Sequence, residues 1–130
     1  MIIGFTGTAK GMTAKQLAQV ILLTEGAKAL HHGDCIGADA EAHNLLLSKM
    51  AIYIHPPIIP DRRAYCTGAT QVYPPRAYLD RNHDIVDACN ILIAAPSGPE
   101  TLRSGTWATV RYAKKIGKAV HIIMPDGSPG

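Results

Sequence analysis

A chain of 130 residues, 47% hydrophobic with a single Trp and a single Phe, is long enough for one domain with an aliphatic core. Its formal charge of +3 admits an anionic ligand but falls short of the basic stripe of a duplex-DNA binder. Cys35, Cys66 and Cys89 form no C-x-x-C pair, which argues against a zinc knuckle or disulfide framework, and no leader or membrane-length apolar run is visible, so a cytoplasmic protein with no membrane partner is expected.

"MIIGFTG" (1–7) reads as a short buried strand ending in glycine. Thr13 then opens a helix, because Thr13-x-x-Gln16 has capping-box form and Leu17, Val20, Ile21, Thr24 and Ala27 repeat at helical spacing. "AKALHHG" (27–33) supplies a second strand, "ADAEAHNLLLSKM" (38–50) a second helix, and "AIYIHPP" (51–57) a third strand halted by prolines. Residues 58–75 have no sustained period and are expected to be a long loop, a lid or a dimer contact. Tyr65 and Tyr73 with Arg62 and Arg63 could there clasp a base or a partner chain. "RAYLDRNHDIVDAC" (76–89) reads as a third helix, and "NILIAAP" (90–96) as a fourth strand. "SGTWATVRYAKKIG" (104–117) reads as a fourth helix stopped by Gly117, and "KAVHIIMP" (118–125) as a fifth strand.

Short apolar strands alternating with amphipathic helices imply one α/β domain over residues 1–130. Its expected form is a Rossmann-like, doubly wound parallel sheet of five strands in the order 3-2-1-4-5, with helices on both faces. Ligands of such sheets bind at the carboxyl ends of the strands where the winding reverses, here between the first and fourth strands. Three glycine-rich segments, "TGTAKGMT", "HGDCIGAD" and "PSGPETLRSGT", fall at that edge.

In the first, Gly7, Thr8, Gly11 and Met12 precede a helix without Walker A or G-x-G-x-x-G spacing. The segment suits a phosphate or carboxylate at a helix start, and equally a tight turn closed by Thr13. In the second, Gly33 and Gly37 allow close approach and Asp34 is the candidate acceptor for a sugar hydroxyl. Asp39 and His43 stand one helical turn apart, but no third ligand follows at useful spacing, so no metal is expected. On the third helix Arg81 and Asn82 are site candidates, although Arg81 and Asp84 at i, i+3 also have the spacing of an exposed ion pair. In the third segment Arg103, Ser104, Gly105 and Thr106 combine a cation, an N-cap, a bare backbone and a first-turn hydroxyl, which suits an oxyanion. The aromatic residues are scattered rather than arrayed as stacking platforms for single-stranded nucleic acid.

"GDCIGADAEAH", "LDRNHDIVDACNILIAAP" and "RSGTWATVRYAKKIGKAV" together resemble the Rossmann-like superfamily that groups SLOG domains with DNA-processing protein A and the LOG (Lonely Guy) enzymes. "GADAEAH" is similar to the Gly-Ile-Asp-Ala-Ala-His segment of DNA-processing protein A, and "SGTWATVRYA" to its Ser-Gly-x-x-x-Thr-x-x-Ala segment. LOG enzymes cleave the N-glycosidic bond of nucleoside monophosphates and carry Pro-Gly-Gly-x-Gly-Thr-x-x-Glu, preceded by an arginine on the previous helix. Arg81 matches that arginine, Gly105-Thr106 match the Gly-Thr, and Thr109 stands where the glutamate would be. The resemblance implies a nucleotide or nucleotide-derived ligand without a resident cofactor, held by a SLOG-type sensor or carrier that forms a homodimer. An alternative is nucleotide N-glycosidase activity with a carboxylate displaced to Glu100 or Asp34, assisted by Arg81. A further alternative is single-stranded DNA binding.

Overall fold

Ile3 and Phe5 are fully buried on one face of the first strand, and the glycine between them leaves room for Cys89 and Ile85 on the other. That arrangement places this strand at the centre of the sheet. The computed structural model describes residues 1–130. It contains β1 (Ile2–Gly7), α1 (Ala14–Leu23), β2 (Ala29–His32), α2 (Ala38–Leu46), β3 (Ala51–Ile54), β4 (Gln71–Val72), α3 (Tyr78–Ala88), β5 (Ile91–Ala95), α4 (Gly105–Lys115) and β6 (Ala119–Ile122). All strand pairs are parallel, in the order β4-β3-β2-β1-β5-β6.

Alternation along the strands divides the interior in two. Ile3, Phe5, Ile52, Ile54 and Ile93 pack with Val20 of α1 and Ala38, Ala42 and Leu46 of α2. Leu92, Ala94 and Ile122 pack on the opposite face with Val86 of α3 and Trp107, Val110 and Ala113 of α4. Each fully buried aliphatic side chain contributes about 1.5–3 kcal/mol relative to exposure. No helix is long and apolar enough to cross a membrane.

The sheet has six strands, one more than the five predicted. β4 lies inside the segment expected to be a loop and continues the sheet beyond β3, pairing Tyr53 with Gln71 and Ile54 with Val72. Both of its residues are exposed, so no burial pattern marks it in the sequence. The rest of that segment is also organised: Pro60–Arg62 form a 3-10 turn, and Cys35 and Arg63 make an antiparallel bridge.

Two caps set the carboxyl edge of the sheet. Thr13 and Gln16 close the capping box, with N–H to side-chain oxygen distances of 3.1 and 3.0 Å. The buried Gln16 amide then donates to the carbonyls of Pro96 (2.8 Å) and Ile123 (2.9 Å), tying α1 to the ends of β5 and β6. At α4 the Ser104 hydroxyl accepts the Trp107 N–H at 3.2 Å.

Candidate functional site: a basic crevice at the sheet edge

A crevice of about 510 Å³ opens where the winding reverses, at the carboxyl ends of β1 and β5. Thr6, Gly7, Thr8, Ala9 and Lys10 wall one side, and Ser97 with the start of α4 walls the other. Tyr78, Arg81, Asn82 and Ile85 of α3 close the back. The first turn of α4 offers two donors to this space. Ser104 caps Trp107, whereas the Gly105 and Thr106 amides have no acceptor within the chain. Gly105 also leaves open space where a side chain would stand. Lys10, Arg62, Arg81 and Arg103 bring four cations to the lining, against one carboxylate, Asp39. The resulting positive potential suits an anion.

Of the residues expected at the site, Gly7, Thr8, Arg81, Asn82, Arg103, Ser104, Gly105 and Thr106 line the crevice. Arg81 is 4% exposed and does not pair with Asp84. Asp84 instead takes Arg76 at 2.6 Å on the surface. Arg81 Nη1 donates to the Gly33 carbonyl, and both terminal nitrogens stand 3.6 Å from the Cys35 sulfur. The Tyr78 ring lies 5.0 Å from the guanidinium.

The remaining candidates lie elsewhere. Asp34, 1% exposed, turns away from the crevice into the 58–75 segment, where Oδ2 accepts from Arg63 Nε and Oδ1 from the Cys66 N–H, each at 2.9 Å. Its φ of 58° aims the side chain there and its own N–H at His32 Nδ1, 2.9 Å away. Both carboxylate oxygens are thus committed, and a sugar hydroxyl has no access to them. Glu100 faces solvent and pairs with Arg111 at 2.9 Å. Thr109 donates its hydroxyl to the Gly105 carbonyl at 2.9 Å. Met12 is part of the core. Gly11 and Gly37 shape the walls: Gly11 sits beside Glu41, whose carboxylate accepts the Met12 N–H at 2.7 Å, and Gly37 (φ +87°) lets Thr8 and Ala9 pass against the start of α2. Gly33 is the space into which the Arg81 guanidinium fits.

Sequence reasoning passed over Lys10, Cys35 and Tyr78, weighed Asp39 only as a metal ligand with His43, and placed Arg62 only in the 58–75 loop. Asp39 is the least expected. Its Oδ2 accepts from the Gly33 and Cys35 amides at 3.1 and 3.2 Å, while Oδ1 is buried without a partner. Burial pushes its carboxyl up to about 6, against the opposing pull of Arg81 and the two amides. Burial, with the Asp39 charge next, also raises the Cys35 thiol. A repeated Asp in "GDCIGADAEAH" was the available signal, but spacing does not say which of the two faces the ligand.

His43 does not join Asp39. Its Nδ1 lies 2.9 Å from His32 Nε2, and its Nε2 lies 2.7 Å from the Thr67 carbonyl. With Cys66 these rings bring three possible metal-ligand atoms within 4.8 Å of one another. The hydrogen bonds already assign their protons. His32 Nδ1 accepts the Asp34 N–H, so Nε2 carries hydrogen toward His43, and His43 in turn donates to Thr67. Burial, then the neighbouring His43, holds His32 down to about 3. The Tyr53 and Tyr73 rings stack against His31 and His55, and Arg63 sits 4.5 Å from the Tyr65 ring, so these aromatics serve the segment's own packing.

Solved structures that share this fold include two proteins named for the molybdenum cofactor. The molybdenum cofactor binding protein from the phototrophic bacterium Rippkaea orientalis is 20% identical with a TM-score of 0.63, covering 95% of this chain and 76% of that one. The molybdenum cofactor (Moco) carrier protein from Chlamydomonas reinhardtii is 22% identical with a TM-score of 0.66, covering 98% of this chain and 77% of that one. No protein-family model matches the sequence, and no curated protein sequence matches it.

Proposed function

We propose that this chain is a binding domain, a sensor or carrier, for a phosphate-bearing small molecule held in the crevice at the sheet edge. The observation that carries this is the pair of unclaimed amides at Gly105 and Thr106, opening onto a lining with four cations and one acid. The phosphate sits over the α4 start, with Arg103 and Lys10 closing on it from the rim. Two kinds of ligand fit that chemistry: a nucleotide, as the resemblance to SLOG domains implies, and the molybdenum cofactor, which the two structural neighbours are named for binding or carrying. Isothermal calorimetry against nucleoside monophosphates, ADP-ribose derivatives and the molybdenum cofactor tests it. Binding by one class, weakened by Arg103→Ala, supports the proposal; no heat from any of them at millimolar concentration overturns it.

A further inference from the structure

Asp39 and Arg81 are both buried in the crevice floor, opposite in charge, and yet not paired with one another. They flank a single residue: Arg81 Nη1 donates to the Gly33 carbonyl, and the Gly33 N–H donates to Asp39 Oδ2. Each keeps one polar atom without a partner, an acceptor at Asp39 Oδ1 and a donor at Arg81 Nε. Buried polar groups in folded proteins are nearly always satisfied, so two orphans of complementary sense at one cavity call for a common partner. Their charges offset each other, which makes the floor suited to a neutral polar group, whereas Lys10, Arg62 and Arg103 at the rim suit an anion. Neither orphan meets bulk solvent, although both residues line the crevice.

We propose that this floor reads a heterocyclic ring, with Asp39 Oδ1 accepting a ring N–H and Arg81 Nε donating to the adjacent ring oxygen or nitrogen. The proposal rests on the phosphate-binding function above and narrows its ligand to a phosphorylated heterocycle, as against a sugar phosphate or inorganic phosphate.

The test compares inosine 5′-monophosphate, 1-methylinosine 5′-monophosphate and ribose 5-phosphate by calorimetry on the intact chain. Methylation removes the ring N–H and leaves the phosphate untouched. Inosine 5′-monophosphate is expected to bind roughly tenfold or more tightly than either of the others, the worth of a hydrogen bond to a charged group. A second readout is proton release. An N–H donated to the carboxylate stabilises its charged form, so near pH 6 inosine 5′-monophosphate expels more protons on binding than ribose 5-phosphate, whose phosphate titrates in the same range and sets the baseline; the excess is visible as heats that differ between buffers of different ionisation enthalpy. The groups facing Asp39 are Arg81, Cys35 and Asp34. In Asp39→Asn the Gly33 and Cys35 amides retain the side-chain oxygen and turn an NH₂ group toward the ring. Affinity for inosine 5′-monophosphate then falls to that of ribose 5-phosphate, and its proton release falls to the ribose 5-phosphate baseline. If all three compounds bind equally, a buried water fills the floor: the inference is overturned while the phosphate site stands. If none binds at millimolar concentration, the phosphate site fails and the inference with it.

Discussion

Asp34 separates a group that holds the protein together from one that holds a ligand, and Asp34→Asn tests which it is. Asparagine tolerates the left-handed backbone at φ 58° and still accepts the Cys66 N–H, but it turns an NH₂ group toward Arg63 Nε. Breaking a fully buried ion pair costs about 3–5 kcal/mol. Arg63 keeps 20% of its side chain exposed and can recover some hydration, so roughly 2–3 kcal/mol is expected here. Asp34→Ala loses both hydrogen bonds and adds about 1–2 kcal/mol of left-handed strain, for a total of roughly 4–6 kcal/mol. Urea unfolding reads the global loss. Hydrogen exchange at the Cys66 amide reads the local one, with protection reduced roughly thirty- to hundredfold in Asp34→Asn. The Cys66 thiol, which burial and then Asp34 push up to about 12, drops without that charge and alkylates faster. Ligand affinity stays within about threefold of the parent, because Asp34 does not line the crevice. An Asp34→Asn protein of unchanged stability with affinity reduced tenfold would refute this reasoning and return Asp34 to the ligand.

Gly105→Ala is expected to leave stability unchanged or raised by up to about 1 kcal/mol, since the position is helical and nothing stands within 4 Å of the added methyl. The same methyl narrows the phosphate seat, so calorimetry should show affinity falling roughly tenfold with an unchanged or higher melting temperature. Gly37→Ala is the converse: φ is +87° and the new Cβ would lie 2.5 Å from the Ala9 carbonyl oxygen and 2.6 Å from that of Thr8. A cost of about 3 kcal/mol, read as a melting temperature about 10 °C lower, is expected. Acid should destabilise the fold from pH 6.5 downward. His32 is held to about 3 and His55 to about 4, chiefly by burial, so below 6.5 the unfolded chain binds protons that the native chain refuses. Each ring then removes up to about 1.4 kcal/mol per pH unit. Asp39 works the other way: its native value near 6 exceeds its ordinary 3.8, so the penalty it imposes above pH 6 is relieved as pH falls toward 4. It offsets about one histidine; a urea midpoint that is flat between pH 7 and 5 would show that the rings are not held neutral.

The strands that carry the core were legible because they are short apolar runs feeding both faces at once, as Ile93 and Leu92 do on β5. β4 was not legible, because Gln71 and Val72 are exposed and what makes them a strand is the neighbouring edge of β3. The α4 start was legible because capping is local: Ser104 and the amides it leaves open lie within three residues. Arg81 was ambiguous because its acceptor is the Gly33 carbonyl, 48 residues away, while Asp84 sits a turn along the same helix. The glycine that makes room for Arg81 is visible in "HHGD", but its counterpart is set by how α3 crosses β2. Asp34 and Asp39 could not be told apart for the same reason. A left-handed residue turns the first outward, and two backbone amides draw the second inward.

That exchange of roles bears on holding against cleaving. Hydrolysis of an N-glycosidic bond requires a carboxylate that can reach the sugar or activate water beside it. Glu100 spends its charge on Arg111 in solvent, Asp34 on Arg63 and Cys66, and Thr109 has neither charge nor a hydroxyl proton to spare. Asp39 alone is at the crevice, with one oxygen tied to two amides and the other closed off from solvent. A carboxylate in that position is shielded from solvent and half committed to the backbone, which suits accepting a hydrogen bond better than activating water. Donors and cations therefore gather where an anion would rest. Binding energy placed in that way acts on the bound state, and this is the ground on which we propose holding over cleaving.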